Sequence, residues 1–166
     1  MSGLSLRNYV DIRFILFLYL LHFCFICLTV VTLSLLSFSF IIWLIYLSLL
    51  FLLGYRLSAN KKRPLALSFI SGALGQFPAI ILSSIIIAGI FSGSYFRLTI
   101  FNTYDFFLQV WHTSLAPVFT ILPSSSMLGI PLYYWVTIAA SFFYPSVLFL
   151  GAVFGFFSRT KTSPAC

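Results

Sequence analysis

Arg56-Leu57-Ser58-Ala59-Asn60-Lys61-Lys62-Arg63-Pro64 carries four of the nine basic residues of the chain. Before it, Phe14 to Tyr55 is a run of 42 residues without Asp, Glu, Lys or Arg, and after it Leu65 to Phe96 is another of 32. The strip between these runs has to stay in water. It fixes the side of a bilayer from which the chain is read.

The rest of the composition agrees. Only 7% of the 166 residues are charged, 61% are hydrophobic, and the mean hydropathy is +1.12. A soluble domain carries roughly 25% charged residues, because a wet surface requires them. A solvent that does not penalise apolar surface is the simplest account. The net charge of +7 does not form a nucleic-acid surface, since the cations sit at segment ends. There Lys and Arg meet lipid phosphates and mark the cytoplasmic side.

As one straight helix the first run would reach about 63 Å, twice the ~30 Å of hydrocarbon in a bilayer. It therefore divides near Ser34–Ser39, giving helices over about 12–34 and 38–55. The turn is marked by serines alone, without Gly, Pro or Asn. After the strip, Pro64 suits a first helical turn, and a third span runs over about 65–91. Its residues Ser68, Gly72, Gly75, Ala79 and Ser83 recur every three or four positions and make one smooth face for close helix packing. Pro78 removes a mid-span hydrogen bond and predicts a kink. Gln76 beside it is polar at membrane depth and needs a partner within the protein.

Residues 92–130 form an outer connector. Within it, about 104–121 reads as an amphipathic helix too short to span, lying in the interface or dipping in and out. Asn102 or Thr103 is a candidate cap, Asp105 complements the helix dipole, and Pro117 is the expected break. Pro123-Ser124-Ser125-Ser126 reads as a turn. The last span, about 131–157, is expected to repeat the mid-span kink at Pro145 and carries Gly151 and Gly155 as a GxxxG pair.

With both ends and the 56–64 strip on one side, that side holds Arg7, Arg13, Arg56, Lys61, Lys62, Arg63, Arg159 and Lys161, against Arg97 alone on the other. This bias predicts both termini in the cytoplasm. The expectation is an all-α integral membrane protein of the cell membrane. It has four transmembrane helices and one interfacial amphipathic helix in a single membrane domain, 1–166. Its water-facing parts are a cytoplasmic leader (1–13), the basic loop, the outer connector and a cytoplasmic tail (158–166). In the leader, Arg7 and Asp11 are spaced to pair on a helix face. The run after Arg13 is too long for a cleavable signal peptide, which has an apolar stretch of ~7–15 residues.

The chemistry is sparse. Cys24-Phe25-Ile26-Cys27 is a CxxC with His22 just before it. A metal site needs more ligands than these, and a redox site needs an accessible thiolate, so both cysteines read as buried small hydrophobes. Four helices with an outer helix before the last resemble the architecture of membrane thiol oxidases of the disulfide-bond-forming quinone reductase type. Those need a second cysteine pair in the outer loop, and residues 92–130 contain none. Phe101-Asn102-Thr103-Tyr104-Asp105 resembles part of the active site of the lipoprotein signal peptidases. They need two aspartates on one side, and here Asp11 and Asp105 fall on opposite sides.

Asp105, Gln109 and His112 are the best polar cluster, placed within two helical turns, with Arg97 and Gln76 as further candidate binding residues. Gly72, Gly75, Ala79, Gly151 and Gly155 are the candidate helix-packing residues. No catalytic residue, metal site or cofactor is expected. The expected partners are the lipid bilayer and other membrane protein chains, with no nucleic acid. The leading functional expectation is a non-catalytic subunit or scaffold of a membrane complex, packing through the small faces of its third and fourth spans and presenting its outer helix to a partner. The alternative is a small-molecule transport component with a cavity between the kinked helices, and a membrane-embedded enzyme is the remote third.

Overall fold

The structure, a computed structural model, describes residues 12–58, 64–91, 103–128 and 130–160. The leader with Arg7 and Asp11, residues 59–63 of the basic strip, the segment 92–102 with Arg97 and Asn102, and the tail from 161 lie outside the described residues. Of the described residues 87% are helical, so the fold is all-α. Runs of Leu, Ile and Phe leave the backbone as their main polar component, and a helix satisfies that backbone internally.

The first two helices are α1 (Ile12–Thr32) and α2 (Leu36–Leu57). Three residues turn the chain between them, two positions earlier than the expected boundaries of 34 and 38. Side chains supply what Gly or Pro supplies elsewhere: Ser39 Oγ donates to the Thr32 carbonyl at 2.7 Å and shares a 3.0 Å hydrogen bond with Thr32 Oγ1. At the far end of α2, Arg56 lies in the last turn, where a cation meets the negative end of the helix dipole.

The expected third span, 65–91, is two helices. α3 (Pro64–Gly75) and α4 (Phe77–Phe91) meet at Gln76 with a bend of 69°. Proline chemistry explains the break. Pro78 has no N–H for the Leu74 carbonyl four residues back, and the Tyr19 hydroxyl of α1 donates to that carbonyl instead, at 2.8 Å. A neighbouring helix thus occupies the acceptor that a straight helix would use.

The expected helix over 104–121 is likewise broken. α5 (Thr103–Trp111) ends at His112, a 3-10 turn covers Thr113–Leu115, and α6 (Ala116–Phe119) is one turn long. Pro117 acts upstream of itself: it has no N–H for the Thr113 carbonyl, so the Ala116 N–H donates there and tightens the chain into the 3-10 turn. His112, Ser114, Leu115 and Pro117 are buried, and Leu115 belongs to the core of Leu18, Tyr46, Tyr144 and Leu148. The segment is therefore an insert that enters the bundle and turns back inside it, not a helix resting on a surface.

Beyond it, Ser126–Met127 (β1) pairs antiparallel with Ile130–Pro131 (β2), a ladder the serine-rich sequence did not announce. Trp135 Nε1 donates to the Met127 carbonyl at 3.0 Å and pins this hairpin to α7 (Leu132–Thr160), which runs unbroken through Pro145.

α2 and α7 form the most extensive helix pair. A Cβ on Gly54 would run into the Leu148 carbonyl, and one on Gly151 into the Phe51 carbonyl, so the two backbones touch where neither residue has a side chain. Gly155 faces Ser58 and the Tyr55 carbonyl in the same way. On α3, Gly72 faces Pro145 and Gly75 faces Leu18, while Ala79 of α4 packs with Ile86, Leu108 and Ile138. These small faces pack within the chain, so they are not the surface offered to another chain. Cys24 and Cys27 are exposed on the outside of α1, not buried as expected. α1, α2 and α7 are each long and apolar enough to cross a membrane, and the bent pair α3 and α4 makes a fourth crossing if it counts as one.

Candidate functional site

Polar side chains from every long helix converge where the insert turns, about halfway along the bundle. His22 of α1 is 1% exposed and bridges two elements. Its Nε2 lies 2.9 Å from the Trp111 carbonyl and its Nδ1 2.8 Å from the Tyr46 hydroxyl. A carbonyl only accepts, so Nε2 carries the hydrogen. In a neutral ring Nδ1 is then the acceptor, and Tyr46 donates to it. The last carbonyl of α5, which its own helix leaves without a donor, is thereby satisfied by α1.

Trp111 is held a second time. Its indole Nε1–H donates to Gln76 Oε1 at 2.8 Å. The polar residue at the break of α3 and α4 and the residue at the tip of the insert are thus each other's partners. The Trp111 ring also stacks at 4.7 Å on His22 and meets Tyr19 edge-on at 5.8 Å.

A second chain of contacts runs alongside. His112 Nε2 is 2.9 Å from Ser141 Oγ on α7, and Ser141 Oγ is 2.8 Å from Ser83 Oγ on α4. Ser114 shares a 3.1 Å hydrogen bond with the Tyr144 hydroxyl. The Tyr144 ring lies between the two histidines, 6.1 Å from His22 and 5.8 Å from His112.

The sequence candidates separate. Asp105 and His112 are buried and Gln109 is exposed, so the three do not share one wet face. The i, i+4, i+7 spacing assumed a helix running through His112, and the helix ends there. Gln76 is buried and partnered, and Arg97 lies outside the described residues. Sequence reasoning passed over His22, Tyr46, Trp111, Ser141 and Tyr144 as a group. One signal for them existed: His22 is the only residue with an acid–base side chain in the ordinary pH range within the 42-residue run. An ionisable group there is costly enough to point to a role.

A cavity of about 20 Å³ lies beside this network, between α1, α2, α3 and α7, with Gly72, Gly75, Gln76 and Pro145 in its wall. That is room for one water, which needs about 10–15 Å³ on this measure. Among the described residues no group of three His, Cys, Asp or Glu is placed to hold a metal ion. No protein-family model, no curated protein and no solved structure matches the chain.

Proposed function

We propose that the chain is a four-span integral membrane protein of the cell membrane, with both ends and the 56–64 strip in the cytoplasm. In that setting it works as a non-catalytic subunit of a larger membrane assembly. Lipid is its first partner. Of the most apolar eighteen residues of α1 and of α2, only 22% and 17% are buried. The outward remainder, including Leu16, Phe17, Leu20 and Phe23, suits acyl chains and not water. With α3 and α4 as one bent span, the insert becomes a re-entrant segment. Irregular backbone at that depth is tolerated when it is buried in protein, as His112, Ser114, Leu115 and Pro117 are.

One observation carries the functional part. The polar groups at mid-depth bind one another across α1, α2, α4, α7 and the insert, and so join the elements, and the cavity beside them has room for one water. The surface left for a second chain is the outer side of α5, where Tyr104, Phe106 and Phe107 are exposed. Extraction in mild detergent followed by native mass measurement is the test. A co-purifying membrane chain is expected, and a stable lone monomer would count against the reading.

Transport is the second reading, favoured by one specific feature. The break at Gln76 and Pro145 of α7 border the same cavity, and interrupted helices at mid-depth are where transporters bind their cargo. Uptake of small neutral solutes by vesicles containing this chain alone, above that of protein-free vesicles, would favour it.

A further inference from the structure

The hydrogen bonds around Trp111 run in one sense. The Trp111 indole donates to Gln76 Oε1, Tyr46 donates to His22 Nδ1, and His22 Nε2 donates to the Trp111 carbonyl. The sequence of donors is open at a single place, between Gln76 and Tyr46. An indole N–H only donates, so the atom of the Gln76 amide facing it is the oxygen. The amide N–H2 group points the other way, and among the described residues it has no hydrogen-bond partner. Gln76 is 5% exposed and Tyr46 1%, and both stand in the wall of the 20 Å³ cavity.

We propose that this cavity is a binding site for one resident water, which closes the ring. The water accepts a hydrogen bond from the Gln76 amide and donates to the Tyr46 oxygen, which has given its own hydrogen to His22 and keeps its lone pairs. A buried water makes two to four such bonds, so the site is complete in size and in partners. The circuit is then Trp111, Gln76, water, Tyr46, His22 and Trp111 again, each donating to the next. Bonds aligned in this way polarise and strengthen one another.

The ring ties three things together: the break between α3 and α4, the tip of the insert, and the α1–α2 pair. Trp111 belongs to it twice, through indole and carbonyl, so loss of the water loosens both holds on the insert. A closed circuit of this kind makes the insert dock as a unit.

The chain has two glutamines, Gln76 and Gln109, which makes the test selective. Glutamine side-chain ¹⁵N labelling of the whole chain in lipid nanodiscs gives two amide N–H2 groups, one buried and one exposed. A water cross-peak at Gln76 that changes sign between laboratory-frame and rotating-frame experiments marks a bound water, whereas proton exchange keeps its sign. The expected result is such a peak at Gln76 in the wild type and its loss in Tyr46→Phe. A wild-type Gln76 amide without a water cross-peak overturns the site, whatever the variant does. A peak unchanged in Tyr46→Phe overturns the ring.

Discussion

Replacing His22 with Phe keeps a ring and removes both nitrogens. The Tyr46 hydroxyl and the Trp111 carbonyl then each lose the partner that His22 gave them in the buried interior. Leaving a buried polar group unsatisfied costs about 1–3 kcal/mol, so the midpoint of thermal unfolding in detergent should fall by several degrees. Adding Tyr46→Phe removes one of the two stranded groups. The double variant should therefore lose less than the sum of the single losses, and strictly additive losses would show that the pair does not interact. Histidine also shows where sequence reading ran out at this scale. His112 was grouped with Asp105 and Gln109 by helical spacing, and spacing holds only while the helix continues. His22 was read against Cys24 and Cys27, its neighbours in sequence. Its partners, Tyr46 and Trp111, are 24 and 89 residues away, and no local pattern reaches so far.

At the scale of elements, the legible features were those with a cause in the local chain. Pro64 starts α3, the serines near 34–39 mark the first turn, and the break at Gln76 follows from Pro78. The size of that break did not follow. A proline allows a helix to bend, and what lies against the freed carbonyl sets how far it bends. Here the Tyr19 hydroxyl holds the Leu74 carbonyl. Pro78→Ala restores a competing backbone donor, so α3 and α4 should straighten. Spin labels at Phe69 and Ile85, both exposed, check this. Their separation should lengthen toward the about 24 Å rise of sixteen residues in a continuous helix. An unchanged distance would mean that packing against α1 and α7, and not the missing N–H, maintains the bend. The insert was the hardest element to foresee. Its amphipathic α5 half reads as interfacial, and only the proline-driven tightening after Trp111 turns it inward.

For the whole molecule, a few cations and long uncharged runs were enough to give the all-α class and helices able to cross a membrane. The interior was not legible in them, because the small-residue faces look alike whether they meet another chain or the same one. Gly72, Gly75, Gly151 and Gly155 are all filled from within, by Pro145, Leu18, Phe51 and Ser58. The proposed topology is a bundle closed within the chain, with its insert turning inside the core. Single cysteines at Asn60, Leu115 and Ser125, in a background lacking Cys24, Cys27 and Cys166, test it with a membrane-impermeant thiol reagent. In intact cells the reagent should label Ser125→Cys alone. After permeabilisation it should also label Asn60→Cys, and it should leave Leu115→Cys unlabelled throughout. Labelling of Asn60→Cys from outside would invert the bundle, and labelling of Leu115→Cys as fast as Ser125→Cys would place the insert on the surface, contradicting the account at its centre.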